Sequence, residues 1–566
     1  MRHLAAVLAL ASLSSPAVAA EPPSSFVKLA DQYWDAELVH NPAAATALGV
    51  HTYDTKLIDL SAPAIKKYIA AQKQWQRRFA AVDASKLAPD EAIDLAVVQQ
   101  AVRAALVDLE VYRRWRRLPR VYVEPAVSSI YLVVKRDFAP AAERMKDVIA
   151  REQQIPKLFM AARQNLDDVD PINIDLALTE LPSNIGFLED DTVKAFAQVS
   201  DAGLQQRLTA STKLATDALA AYGTWLQKEL RPRANGHFAM GADAFSQKLA
   251  ADEGITEPLD QVLARGEAEL GRLRAEFVAT AKKIDPSKPA AEVQAALAAD
   301  HGKPSTLLAD VQARLAGLRK FLIDKQIVTV PSTVMPVVQE SPPFMRAFTL
   351  ASMDTPGPFE AKATEAYYNI TLPDPKWTPA EVESYMRGGF SRTVIEMVSI
   401  HEAFPGHYVQ FLWMPQMRSR TRKIYACSSN VEGWAHYAEQ MMIDEGVAGK
   451  DPKQRLAQLQ EALLRAARYV VGIRMHTRGM TLAQATDFFE HEGLQSRKVA
   501  EMEAKRGTED PTYLYYTYGK LEILKLREDY KRKLGAKYTL RGFHDAFLAQ
   551  GGIPLPLVRK ALLGSP

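Results

Sequence analysis

Apolar residues recur at three- and four-residue intervals over most of the chain, and this spacing predicts amphipathic helices. The clearest runs cover 26–40, 64–82, 89–116, 138–166, 204–229, 258–282 and 305–324. Strand-like sequence is confined to three short runs, 327–330, 344–350 and 367–372, punctuated by Pro331, Pro336, Pro342, Pro343, Pro356 and Pro358. These predict a small sheet or a set of extended segments. Beyond them the helix ends are marked residue by residue. Thr378-Pro379-Ala380-Glu381 has a capping threonine, a proline at the first helical position and a glutamate that completes a capping box. Asp451-Pro452 and Thr481 with Gln484 give two more starts, and Gly446 and Gly479 stand where helices would stop. Predicted helices therefore follow at 379–404, 430–445, 452–478, 482–505 and 512–534. The expected fold is all-α with a small sheet just before the region richest in histidine. A helical region over 21–325 and a second over 326–566 are expected to form one continuous fold.

The N-terminus changes the picture of where this fold works. Met1-Arg2-His3 is basic, residues 4–13 are apolar, and Ala17-Val18-Ala19-Ala20 offers small residues for cleavage. That layout predicts a signal peptide over 1–20, with Glu21-Pro22-Pro23 breaking any helix behind it. The apolar stretch falls short of the roughly 20 residues of a membrane span. No later run reaches that length, so no span is expected after cleavage. No cysteine follows the cleavage region, which argues against a lipid anchor of the bacterial kind, so a soluble periplasmic or extracellular protein is expected. Cys427 is the single cysteine, which excludes an intramolecular disulfide, and no catalytic Cys-His signature surrounds it. Stability must come from a core, which a chain of 566 residues is long enough to bury. A net charge of +3 argues against nucleic acid as the partner. The densest basic run, Arg113-Arg114-Trp115-Arg116-Arg117, closes a predicted helix, where the helix dipole favours cations.

Candidate chemistry concentrates in His401-Glu402-Ala403-Phe404-Pro405-Gly406-His407. A zinc hydrolase uses imidazole and carboxylate ligands, an open position for water, and a separate carboxylate as base. In the usual His-Glu-x-x-His helix the histidines are four apart, about 40° around the axis; six apart on an unbroken helix places them about 120° apart, too divergent for one ion. Pro405 removes a backbone donor and clashes with the preceding turn, while Gly406 admits conformations other residues resist. The pair is expected to break the helix after Phe404 and swing His407 back beside His401. Further on, Glu432, His436 and Glu439 share one helical face by their spacing. Glu432 as the third ligand completes a His-His-Glu set suited to one Zn²⁺. His436 would then orient a ligand or contact substrate, and Glu439 would hold a histidine ring. The reverse assignment, His436 as ligand with Glu432 behind it, is left open by spacing alone.

The runs His401-Glu402-Ala403-Phe404-Pro405-Gly406-His407-Tyr408-Val409-Gln410 and Glu432-Gly433-Trp434-Ala435-His436-Tyr437-Ala438-Glu439 resemble the signatures of the bacterial domain-of-unknown-function family 885. That family is similar to the zinc peptidases of the thimet oligopeptidase and thermostable carboxypeptidase groups. Supporting matches are 42–49, 516–521 and 543–548. Many relatives carry a histidine where this chain has Tyr408, and an aspartate where it has Gly472 between Arg468 and His476. The resemblance implies a bilobed helical fold with a deep cleft and a gluzincin-like mechanism on a peptide substrate. Zinc acidifies water, Glu402 takes its proton and later returns it to the leaving amine. An oxyanion donor is expected among Tyr516, Tyr518, Tyr513 and His476, with Tyr516 first because it matches the family's pattern. Segment 344–350 would bind an extended peptide at a sheet edge, favouring short or unfolded peptides. Two rival readings remain. A dinuclear helical-bundle oxidase typically uses Glu-x-x-His pairs, whereas Glu432 and His436 are one residue further apart. An inactive peptide-binding protein would not need the intact Glu402.

Overall fold

The computed structural model describes residues 24–564 apart from 343, 344, 347 and 348; the leader expected over 1–20 lies outside the described residues. The fold is mainly helical with one three-stranded sheet, as the periodicity predicts. The elements that carry the argument are α1 (Leu259–Ile284), α2 (Leu307–Asp324), β1 (Val337–Glu340), β2 (Ala351–Asp354), β3 (Tyr367–Ile370), α3 (Arg392–Glu402), α4 (His407–Trp413), α5 (Ser428–Asp444), α6 (Pro452–Thr477), α7 (Arg497–Gly507) and α8 (Tyr515–Leu534).

The capping signals set the helix starts. Thr378 accepts from Glu381 N at 3.3 Å while Glu381 accepts from Thr378 N at 2.7 Å, and Thr481 and Gln484 form the same box. Asp451 caps α6 by accepting from Lys453 N at 2.9 Å. Gly446 and Gly479 adopt the positive φ of helix stops, 90° and 68°. Several predicted helices prove to be pairs, two of them divided where a serine caps a new start. The stretch 379–404 is Pro379–Gly389 followed by α3, because Ser391 accepts from Val394 N and opens a second helix. The stretch 482–505 divides into Leu482–His491 and α7, capped by Ser496. In 138–166 the helices are Ala141–Glu152 and Ile155–Asn165. The stretch 89–116 is regular only over Pro89–Leu106, then widens and ends in left-handed Arg113. Three arginines of its basic run are paired, Arg114 with Asp108 at 2.7 Å, Arg116 with Asp167 at 2.5 Å and Arg117 with Asp168 at 3.6 Å.

The sheet is smaller than expected and shifted. β3 is central, parallel to β1 and antiparallel to β2, with Val337 opposite Tyr367 and Ala351 opposite Ile370. Residues 327–330 are not a strand: Ile327 and Val328 are buried, but the Thr329 N–H and hydroxyl donate to Asp545, at 2.8 and 2.6 Å, where a strand partner would stand. The expected strand 344–350 includes residues outside those described, and the observed strand begins at Ala351.

The largest core joins the two halves of the chain. Ile93, Val97 and the inner face of α2 pack with Met397 and Ile400 of α3, Trp434 and Tyr437 of α5, and Phe543 and Phe547. A second shared core sets Leu270, Leu273 and Phe277 of α1 against Leu456, Leu459 and Leu463 of α6. Residues 122–230 hold a core of their own, extended by Ala363. β2 lies against α3 and α4, which places the sheet beside the His401 motif.

Candidate metal centre

The site begins at the end of α3. His401 and Glu402 are its last two residues, and the chain then reverses through Ala403, Phe404, Pro405 and Gly406 before α4 starts at His407. Phe404 N donates to Ser399 O at 3.2 Å and Gly406 N to Ile400 O at 2.9 Å, so the helical ladder stretches to five and then six residues. The Phe404–Pro405 bond is cis. Gly406 is pressed onto α3 so closely that a Cβ there would lie 1.6 Å from the carbonyl oxygen of His401, which leaves room for glycine alone. Trp434 Nε1 donates to Pro405 O at 2.9 Å and ties the turn to α5. The result is that the two imidazoles face each other, ring centres 4.9 Å apart and planes at 89°.

Glu432 reaches this pair from α5. Its Oε2 is 3.4 Å from Nε2 of His401 and 3.5 Å from Nε2 of His407. α5 can approach because it crosses α8 at Gly433 and Gly519, where a Cβ on Gly519 would meet Ser429 O at 2.0 Å. Tetrahedral zinc with bonds of about 2.0–2.1 Å sets its ligand atoms roughly 3.3–3.4 Å apart, close to the spacing each imidazole Nε2 shows to Glu432 Oε2. Glu432 Oε2 is buried with the two imidazole nitrogens beside it at ion-pair distance, and a buried carboxylate oxygen is costly unless a cation completes it. The donor set therefore fits a zinc ion. The Glu402 carboxylate lies within 4.8 Å of ligand atoms of His401 and His407, and it also acts on Tyr368 of β3.

Outer contacts fix these groups. Nδ1–H of His401 donates to Glu439 Oε1 at 2.7 Å, which turns Nε2 toward Glu432. Glu439 also takes Nδ1–H of His436 at 3.2 Å and the Arg465 guanidinium at 3.3 Å. Burial is the largest influence on each group and opposes charge. Against it, the two histidines hold the Glu432 carboxyl well below the ordinary range, and Arg465 with the histidines lowers Glu439. Both are anions. Burial also works against a proton on His401, yet Glu432 and Glu439 lift it to about 9; burial pushes His436 down to about 3, so that ring is neutral. The buried Glu439 carboxylate and the partly buried Glu432 carboxylate beside two imidazoles make a place where positive charge is favoured.

The structure thus brings together His401, Glu402, His407, Glu432 and Glu439. His436 contacts Glu439 and not the paired Nε2 atoms, so of the two assignments left open by spacing the geometry matches Glu432 beside the histidines. Tyr516 is buried nearby: the Glu432 charge is the second influence on its phenol after burial, and Arg506 donates to its oxygen at 3.4 Å. Three candidates lie elsewhere. His476 donates from Nε2 to Gly507 O at 2.7 Å and packs edge-on against Phe238. It follows Arg465 by eleven residues of α6, about 16 Å along the axis. Tyr518 is two positions from Tyr516 and so faces about 200° away, where its hydroxyl donates to Glu257 at 3.3 Å under the Arg265 guanidinium. Tyr513 precedes α8 and packs against Gly507 and Gly472; a Cβ at Gly472 would be 2.8 Å from its ring, so an aspartate has no room there. Tyr408 donates to Val334 O at 2.7 Å. Sequence reasoning missed Arg465, Arg506 and Tyr515. The arginines reach the site from distant helices, and choosing among clustered tyrosines needs a helix phase that the sequence alone left open.

A mainly helical protein with a His-His-Glu centre behind a broken helix is the class these features define. Residues 42–562 match the sequence profile of the family described as "Bacterial protein of unknown function (DUF885)", and the chain belongs to that family. Two solved structures are similar over almost the whole chain. A "putative lipoprotein of unknown function" from Shewanella oneidensis is 25% identical with a TM-score of 0.79, covering 96% of this chain and 100% of its own. A "putative lipoprotein" from Colwellia psychrerythraea is 18% identical with a TM-score of 0.80, covering 95% and 98%, a likeness of fold. No curated protein matches the chain.

Proposed function

We propose that this chain is an exported zinc metallopeptidase that hydrolyses short or unfolded peptides. The observation that carries the reading is the approach of His401 Nε2 and His407 Nε2 to one oxygen, Glu432 Oε2, at 3.4 and 3.5 Å, with Glu402 alongside. His401, His407 and Glu432 would hold the ion. When bound, zinc would polarise the scissile carbonyl and lower the pKa of water toward about 7. Glu402 follows His401 directly on α3 without sharing its contacts with Glu432 and Glu439, so its carboxylate is available as the base. It takes the proton of the attacking water and delivers it to the departing amine. Tyr516 is the oxyanion donor: its oxygen accepts from Arg506, which leaves its own proton to give. Tyr518, Tyr513 and His476 take no part. Glu439 and Arg465 keep His401 oriented. β2, beside α3 and α4, offers a sheet edge for an extended peptide.

Export is supported by the leader-like sequence at 1–20 and by the lipoprotein descriptions of both structural relatives, which speak for an exported or membrane-anchored protein. Among the described residues no helix is long and apolar enough to cross a membrane. The test is to incubate zinc-replete protein with a mixed peptide library and read the products by mass spectrometry. The reading expects cleavage by the wild type and none by Glu402→Gln at equal zinc content. Equal turnover in that variant would remove Glu402 as the base; binding without turnover in the wild type would favour a non-catalytic peptide-binding protein.

A further inference from the structure

A cavity of about 350 Å³ lies beside the first turn of α5, with Tyr112, Ser428, Glu509, Asp510 and Tyr515 among its walls. Two of these connect it to the metal centre. Ser428 opens α5 four residues before Glu432, so both lie on one helix face, about 6 Å apart along the axis. Tyr515 leads into α8, and the Glu432 charge is among those acting on its phenol.

The charges of the walls select a ligand. A helix N-terminus ordinarily draws an anion, but here Glu253 Oε2 already accepts from Ser429 N at 2.8 Å. The two cations in the wall are also matched, Lys248 with Asp252 at 2.6 Å and Arg114 with Asp108 at 2.7 Å. Glu509 is different. Its side chain is 9% exposed, Oε2 meets Arg120 at 2.7 Å, and Oε1 is buried without a hydrogen-bond partner. Arg120 is shared with Glu180, Glu124 adds further negative charge to Glu509, and the other cation acting on it, Arg114, is paired with Asp108, so the carboxylates outnumber the cations here. Burial first, opposed by Arg120 and Arg114 and reinforced by Glu124, holds the Glu509 carboxyl above its ordinary range. Glu509 lines the polar cavity, where a donor completes a carboxylate and a cationic nitrogen gives the stronger bond.

We propose that this cavity is the subsite for a cationic nitrogen of the substrate, a lysine or arginine side chain or a free α-amino group, paired with Glu509 within about two residues of the cleaved bond. The substrate class rests on the peptidase reading; the binding preference is measured separately from it.

The test is calorimetric titration of the zinc-loaded Glu402→Gln protein with Ala-Ala-Lys-Ala-Ala-Ala and its norleucine counterpart, each with a free or an acetylated amino end. The charged peptide binds at least about tenfold more tightly than the fully neutral one. Acetylation removes the preference if the α-amino group is the source, and norleucine removes it if the side chain is. Glu509→Gln abolishes the preference. Ser428→Trp, at an exposed position on the rim, fills the cavity and does the same, so the test does not depend on Glu509→Gln folding. Equal affinity for all four peptides, no binding of any, or a preference retained in a folded variant overturns the proposal. Wild-type turnover of the same peptides separates the two readings. Cleavage without charge preference removes the subsite and keeps the peptidase; charge-selective binding without cleavage does the reverse.

Discussion

Glu439 holds His401 by its far nitrogen: Oε1 lies 2.7 Å from Nδ1, while Nε2 of the same ring stands 3.4 Å from Glu432. The carboxylate thereby fixes both the tautomer and the direction of the ring, and partners of this kind typically contribute 10–100-fold to metal affinity, roughly. Glu439→Gln keeps the volume but not the charge. Zinc affinity measured by competition with a chelator is expected to fall by about that factor. An unchanged affinity would show that His401 is held by packing alone.

Gly406 makes the site without contributing a ligand. In Gly406→Ala the new methyl would sit 1.6 Å from the His401 carbonyl, so the turn must open and His407 must move. Zinc content is expected to fall to that of a ligand variant, with a stability loss of roughly 1–3 kcal/mol or more. Gly388→Ala is the control, since nothing lies within 4 Å of a Cβ there. Full zinc content in Gly406→Ala would contradict the account of the turn.

Tyr516 and Tyr518 offer a direct comparison. Tyr516→Phe is expected to lower kcat by about 10²–10³ with little change in KM, the usual cost of losing one oxyanion donor. Tyr518→Phe loses a contact with Glu257 on the opposite helix face and should retain wild-type kcat. Equal losses in both would mean that the phenols act through packing.

The residues that carry the candidate chemistry were legible because they are local. Pro405 and Gly406 announce a break between two histidines too divergent for a straight helix, and the chain does reverse there. Caps at Thr378, Asp451 and Thr481 were equally plain, being decided by side chains two or three residues away. What failed depended on distance or phase. Ser391 and Ser496 were hidden inside apolar periodicities that continue across the breaks. Thr329 looked like a strand residue until Asp545, 216 positions away, took its N–H. His476 shares a helix with Arg465 but lies too far along it to share the site.

His476 also gives the fold a measurable pH dependence. Burial pushes its imidazole down to about 4 from an ordinary 6.5, against support from the Gly507 carbonyl. Between those values the unfolded chain binds a proton that the folded chain does not, so stability is lost as pH falls from about 6.5 to 4. His476→Gln keeps a donor for Gly507 O but cannot be protonated. Thermal melts from pH 7 to 4 should show the wild type losing stability relative to the variant, by at most about 1.4 kcal/mol per pH unit. Raised carboxyls such as Glu152 and Glu180, both lifted to about 7 mainly by burial, slope the other way. The difference between the two proteins is therefore the quantity to read. Parallel curves would contradict a neutral buried His476.

The central claim is one zinc ion on His401, His407 and Glu432, and elemental analysis of protein equilibrated with zinc and then desalted tests it most directly. The account predicts about one zinc per chain in the wild type and in Glu402→Gln, and loss of that zinc in His407→Ala and Glu432→Ala that still melt cooperatively. Two irons per chain, no zinc in the wild type, or an undiminished content in those folded variants would contradict it.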